Sequence, residues 1–541
     1  MITRRQFIGT TGLAVPSLAF PAILRGAAPE APVANTAQGK VRGLIEGGLN
    51  IFRGIPYGGS VSGPEHRFRA PPPPVAWTGI RDATGFGPVS PQQPRFFTAP
   101  GEIMAEDCLV LNVWTPALDG RKRPVMVYQH GGGFLIGSGS APWQDGGALA
   151  REHDVVVVQS NHRLGLVGYL YLGGLLGPEY EGNQGLMDLV ASLRWVNENI
   201  AAFGGDPHNV MIFGESGGGG KVASLYAMPA AAPYFHKASI ESPIGPGRTT
   251  PEQATETARQ VMKRLGTSNP RDLLTAPLDA LIKAQIGNLP PLPPGAVRKD
   301  MPADAQPAIN FWPFIDGRIL PEEPFLNSAP LVSARKPLII GTCKDESVFF
   351  QQGDPTAFNL DEQGLKARLE PRFGERTGAW IEAFRKSRPN ATPSQLFIAI
   401  TTAQPWRANA IHIAERKAEQ GMAPVYSYIL DYPSPEKVRG TDYPEGSPHA
   451  SDIAMKFNTA PQFGPKAPAR LATAHNMSSL WAGFARTGVP HAKGLPKWKR
   501  FGLKMRNTMI IDSHCRVVSD PESTERQFFM REPNVIREPG L

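Results

Sequence analysis

The chain has 541 residues, 41% of them hydrophobic and 19% charged, with a formal net charge of +8. That composition excludes a disordered or fibrous polypeptide, and a charge so modest and scattered provides no polyanion-binding face. Three cysteines, Cys108, Cys343 and Cys515, are too few and too far apart for a disulfide framework or a zinc knuckle, and read as buried small hydrophobes.

At the N-terminus, Thr3-Arg-Arg-Gln-Phe-Ile8 precedes an uncharged stretch from Gly9 to Leu24 and then a small-residue region. This is the pattern of a twin-arginine export signal over residues 1–34, with cleavage expected between Ala28 and Asn35 and a periplasmic or extracellular product. Pro16 and Pro21 interrupt the apolar stretch, which is short for a membrane span. No stable membrane anchor is expected.

Pro124–Gln129 and Val155–Gln159 are short, apolar and β-prone, as buried parallel strands are. The first runs directly into His130-Gly-Gly-Gly-Phe134, a loop whose backbone amides are unobstructed by side chains. Leu186, Leu189, Leu193, Val196, Ile200 and Phe203 recur at helical spacing, and Gly204-Gly205 closes that helix. Asn209–Phe213 follows as another strand. This rhythm of strand, helix and strand predicts an α/β fold with a mostly parallel sheet and right-handed crossovers.

Next comes Gly214-Glu-Ser-Gly-Gly-Gly-Gly-Lys221. A phosphate-binding loop would place Gly where Glu215 stands and a hydroxyl where Val222 stands, so that reading fails. Gly-x-Ser-x-Gly between a strand and a helix from about Gly218 to Met228 instead presents Ser216 as a nucleophile on a tight turn. With that motif on the same sheet, the amides of Gly132, Gly133 and Gly217 are the expected oxyanion donors.

Further strands are expected near Lys237–Glu241, Pro337–Gly341 and Val425–Leu430. The Pro-rich stretch from about Asn288 to Pro307 reads as a loop in an insertion, around 250–335, that caps the sheet. The strand in "LIIGTCKDES" leads to Asp345 and Glu346, either of which suits the acid. His412, His449, His475, His491 and His514 are candidates for the base, with His412 in a helical pattern and His449 in a polar loop. The basic tract from Lys493 to Arg506, with Trp498 and Phe501 interleaved, lacks any accompanying nucleic-acid motif and reads as a solvated surface segment.

"FRGIPYG", "EDCLVLNVWTP", "HGGGF", "NQGLMDL", "FGGDPHNVMIFGESGGG", "GTCKDES" and "WAGFARTGVP" occur in that order. Together they resemble the type-B carboxylesterases, which include cholinesterases and para-nitrobenzyl esterases, over most of the chain. The resemblance implies an α/β-hydrolase fold. It selects Glu346 over Asp345 as acid, and His449, followed by Asp452, as base. Four departures accompany it: Gly217 where Ala is usual, His162 where Tyr is common, Ser347 after the acid, and Ser90 where a cysteine partner of Cys108 would stand.

The implied activity is hydrolysis of a small-molecule carboxylic ester through a Ser216–Glu346–His449 triad and an acyl-enzyme, with no metal or organic cofactor. Phe134, Trp312, Phe349 and Phe350 are candidates to line an apolar substrate pocket, with membership of the core as the alternative. Amide or carbamate hydrolysis by the same triad, and a non-catalytic binding protein on the same scaffold, are the rival readings.

Overall fold

Both faces of the central strands are apolar, so the sheet they form must be covered on both sides. In the computed structural model, which describes residues 30–93, 101–243, 249–288, 308–532 and 535, eleven strands build that sheet. They are β1 (Leu44–Glu46), β2 (Leu49–Pro56), β3 (Val110–Thr115), β4 (Arg123–Gln129), β5 (Val156–Ser160), β6 (Gly205–Glu215), β7 (Lys237–Glu241), β8 (Leu338–Cys343), β9 (Val425–Leu430), β10 (Asn507–Ile511) and β11 (Arg516–Ser519). Their spatial order is β1-β2-β3-β5-β4-β6-β7-β8-β9-β10-β11. The block from β5 to β10 is parallel, and the outer strands pair antiparallel.

Side chains alternate across a strand, and here the alternation separates two cores. Val125, Val127, Val156, Val158 and Ile212 pack on one side, and Met126, Tyr128, Val157, Met211 and Phe213 on the other. The first layer contains α1 (Gln184–Asn199), α2 (Gly217–Ala227), α3 (Pro251–Leu265) and α4 (Leu278–Ile286). The capping box of Thr250 and Gln253 starts α3 and Gly266, at φ 73°, ends it. Between β8 and β9, α5 (Glu362–Phe373), α6 (Thr377–Ser387) and α7 (Pro393–Thr402) enclose a third core around Trp380 and Phe384. Helices α3 and α4 of the 250–335 segment pack on the sheet, while α5–α7 form a separate layer; the Pro-rich loop expected in that segment lies, from 289 to 307, outside the described residues.

The leader segment is likewise outside the described residues up to 29. Val33–Thr36 pairs antiparallel with Gly39–Arg42, and Ala34 is buried, so a cut at Asn35 would split a strand that a cut at Ala28 spares. Trp498 and Phe501 of the basic tract are both buried, with Trp498 Nε1 donating to the Ser427 carbonyl. They are core residues and offer no stacking surface. All three cysteines are unpaired, and the Ser90 that occupies the expected partner position is buried, as Cys108 is.

The stretch after β5 is held by a buried ion pair. Arg163 donates from Nε and Nη2 to Asp188 of α1 at 2.8 and 2.6 Å, and its backbone N–H donates at 3.0 Å. Their side chains are 2% and 0% exposed, so Asp188→Ala leaves a guanidinium without its counter-charge. The expected loss is about 3–5 kcal/mol of unfolding free energy, read by urea denaturation; a loss under about 1 kcal/mol would mean that the pair is not needed to hold the loop.

Candidate active site

From β4 the chain crosses to β5 and returns to β6 on the opposite side of β4, so the direction of winding reverses between β4 and β6. Such a reversal opens a crevice at the carboxyl ends of the strands. Gln129 and Gly214 are register partners there, and the glycine loop and the Ser216 turn emerge side by side.

Ser216 has φ 60° and ψ −122°, a conformation that costs a non-glycine residue energy and aims its side chain outward. Its N–H donates to the Glu241 carbonyl at 2.9 Å, tying the turn to the end of β7. A methyl on Gly218 would overlap the Gln129 carbonyl oxygen. Glycine is therefore required for the helix to start this close to β4.

Glu346 is fully buried. Its Oε1 accepts from Ser242 Oγ at 2.6 Å and from the Cys343 N–H at 2.7 Å, and its Oε2 lies 2.5 Å from His449 Nδ1. Asp345 points elsewhere and accepts from the Ser447 N–H, so it is Glu346 that reaches the histidine. His449 is packed by Trp406, Phe350 and Phe349 at ring distances of 4.5, 4.9 and 5.8 Å. The other candidates are occupied elsewhere: His412 by backbone carbonyls of Phe325 and Leu326, His475 beside His153, His491 by the Val489 carbonyl and His514 by Ser513.

Ser216 and His449 both face one cavity, but no hydrogen bond joins them among the described residues. His449 Nε2 instead lies 3.2 Å from Glu215 Oε1. Burial opposes charge on His449, while the carboxylates of Glu215 and Glu346 raise its pKa above the usual histidine value. Burial also raises the pKa of Glu215, against the pull of His449. These two tendencies compete for one proton, since an ionised Glu215 holds it on the imidazole and a protonated Glu215 frees Nε2 to accept. Beneath the pair, Lys456 bridges Glu241 and Asp452 at 2.7 and 2.9 Å in a fully buried cluster.

Gly132 and Gly133, at φ 86° and 65°, curl the loop toward the serine turn. A methyl on Gly131 would lie 3.6 Å from Ser216 Cβ, and one on Gly217 would overlap the Gly133 carbonyl oxygen and sit 2.5 Å from its Cα. The loop thus rests directly against Gly217. The amides of Gly132, Gly133 and Gly217 donate to no protein acceptor among the described residues.

The cavity has a volume of about 800 Å³, with Trp312, Phe349, Phe350, Leu135, Trp143 and Tyr432 in its walls. Phe134 is a correction: it is fully buried, packs 5.5 Å from the Trp312 ring and 5.4 Å from Tyr169, and is not in the wall. Its backbone leaves the loop toward the core, so it backs Trp312. Arg470 and Glu445 add charge to the wall. Sequence reasoning missed these two along with Glu215, Ser242 and Trp406. Only Glu215 carried a signal, its place inside the serine motif. Among the described residues no group of three or more His, Cys, Asp or Glu is arranged to hold a metal, and no helix is long and apolar enough to cross a membrane.

A family model described as "Carboxylesterase family" matches residues 30–529. The para-nitrobenzyl esterase of Bacillus subtilis is 35% identical over 519 residues, covering 92% of this chain and 98% of that protein. The phenmedipham hydrolase of Pseudarthrobacter oxydans is 32% identical, covering 90% and 97%. Among solved structures, a Geobacillus stearothermophilus carboxylesterase superposes with a TM-score of 0.77 at 35% identity, covering 92% of this chain and 99% of that one.

Two outcomes follow from the site's geometry. Gly217→Ala must push the glycine loop back, and kcat/KM for p-nitrophenyl butyrate is expected to fall about tenfold or more, up to the roughly 10²–10³ lost with an oxyanion donor; an unchanged value would mean the loop yields freely. Glu215→Gln removes a carboxylate that stabilises the imidazolium, so the acid limb of the kcat/KM–pH profile should move to lower pH by about one unit. A limb that stays in place would identify Glu215 as already protonated.

Proposed function

The chain belongs to the carboxylesterase family and is a carboxylic ester hydrolase, and we propose that its reaction runs through an acyl-enzyme on Ser216 with His449 as base and Glu346 as its partner. The observation that carries this reading is the convergence of Ser216, the His449–Glu346 pair and the glycine loop on one apolar cavity.

In the first half-reaction, His449 Nε2 takes the Ser216 hydroxyl proton as Oγ bonds to the ester carbonyl carbon. The carbonyl π electrons move onto oxygen, which the amides of Gly132, Gly133 and Gly217 receive. Glu346, anchored by Ser242 and the Cys343 amide, keeps the Nδ1 proton in place and stabilises the imidazolium that forms. Collapse expels the alkoxide, which takes the proton from Nε2. Water then enters by the same sequence, and the acid and free serine are released. Before attack, His449 must turn from Glu215 toward Ser216, an adjustment of a kind that substrate binding often brings.

A cavity of about 800 Å³ walled by Trp312, Phe349 and Phe350 supports substrates with a sizeable apolar, aryl-bearing acyl or alcohol group. The arginine pair and uncharged stretch at residues 3–24 support export of the protein. Detection of a shortened protein in the periplasmic fraction would test that. For the chemistry, p-nitrophenyl butyrate hydrolysis is expected to fall about 10⁴-fold or more in a folded Ser216→Ala variant. Equal activity of the two proteins would remove Ser216 from the mechanism.

A further inference from the structure

Lys221 lies five positions after Ser216 on α2 and is completely buried. Lysine amines are seldom placed so deep without a carboxylate, yet the only hydrogen bond from Nζ goes to the His130 carbonyl, at 2.9 Å, and no acid pairs with it among the described residues. Nζ also lies 5.7 Å from the centre of the Phe134 ring. His130 and Phe134 are the two ends of the glycine loop, so one amine touches the loop where it leaves β4 and where it re-enters the core.

Among the described residues the amine has two imidazoles nearby and no carboxylate paired with it. His130 and His162 stack with ring centroids 4.7 Å apart, and among the described residues His130 Nε2 and both ring nitrogens of His162 have no hydrogen-bond partner. Burial first, and the neighbouring amine second, hold both imidazoles well below the usual histidine pKa. Burial likewise lowers the pKa of Lys221 far below that of a free lysine. A neutral amine retains its N–H donor, so the bond to His130 does not depend on charge.

We propose that Lys221 is a positioning residue for the oxyanion hole, tethering the glycine loop to the nucleophile helix through the His130 carbonyl. Three consecutive glycines have great conformational freedom, and donors stabilise an oxyanion only when they are already aimed at it. The contact of Gly217 with Gly133 sets how near the loop can approach. The amine fixes the orientation of the peptide at which the loop begins. The inference rests on the acyl-enzyme reading and adds to it a residue that touches neither substrate nor the reacting atoms.

Lys221→Met keeps an unbranched side chain one atom shorter and removes the donor. With p-nitrophenyl butyrate, kcat is expected to fall about tenfold to a hundredfold, within the range set by loss of an oxyanion donor, while KM stays within threefold. The decisive readout is an aryl trifluoromethyl ketone, to which Ser216 Oγ adds as its proton passes to His449 and the carbonyl becomes an oxyanion. Its affinity should weaken by the same factor as kcat/KM, as a transition-state mimic requires. Thermal unfolding at or above the temperature of the unaltered protein is expected, because a buried amine has been removed.

A kcat within twofold of the unaltered protein, a rise in KM alone, or an unchanged ketone affinity would overturn the proposal. Lys221→Leu is read by the same measures, and if neither variant folds, Lys221 is a structural support and the proposal falls. Failure of the acyl-enzyme reading would look different: Ser216→Ala would retain the activity of the unaltered protein.

Discussion

The close seating of the Ser216 turn against the end of β4 is the contact on which the site depends. No side chain fits between Gly218 and the Gln129 carbonyl, or between Gly217 and Gly133. Because the backbones meet there directly, one residue can expose its hydroxyl while the next aims its amide at the same space. The strained dihedral angles of Ser216 are stable only because flanking strands fix both sides of the turn, with the Glu241 carbonyl receiving its N–H.

Around that contact the buried charges divide into two groups. Carboxylates gather on the histidine side: Glu346 against Nδ1, Glu215 against Nε2, and Asp452 and Glu241 below, balanced by Lys456. Around Lys221, among the described residues, no carboxylate makes an ion pair, and burial lowers the pKa of the amine and of the two imidazoles beside it. The division suits acyl transfer. In the proposed reaction, positive charge forming on His449 would meet anions, while negative charge forming at the loop would meet donors.

Much of this was legible in the sequence, because a two-faced apolar strand has few places to go. The central parallel strands, the helix after β5 and the serine turn all carry strong local patterns, and most of their ends agree with the structure to within a residue or two; β6 starts four residues earlier than expected, at Gly205, and α1 gives way to a 3-10 turn over Ile200–Phe203. The proposed base was not legible from local pattern, since several late histidines lie in polar loops and only the resemblance to relatives singled out His449. Asp345 and Glu346 are adjacent, and chain direction alone cannot tell which carboxylate turns inward; the Ser242 hydroxyl and the Cys343 amide draw in Glu346. Phe134 misled because following a glycine loop does not fix which way a ring points. The α5–α7 layer brings Phe350 and Trp406 over His449 by long-range packing, which leaves no mark at those positions.

The glycine at 217 also has a consequence for engineering. The methyl of an alanine there would occupy the space that Gly133 fills. Neither position can change without regard to the other. An alanine at 217 would bar the loop from its present place, and the loop in that place bars alanine. A sequence reconstruction, or a chimera that imports loop 130–137 from an alanine-bearing relative, should therefore treat the two segments as a single heritable unit.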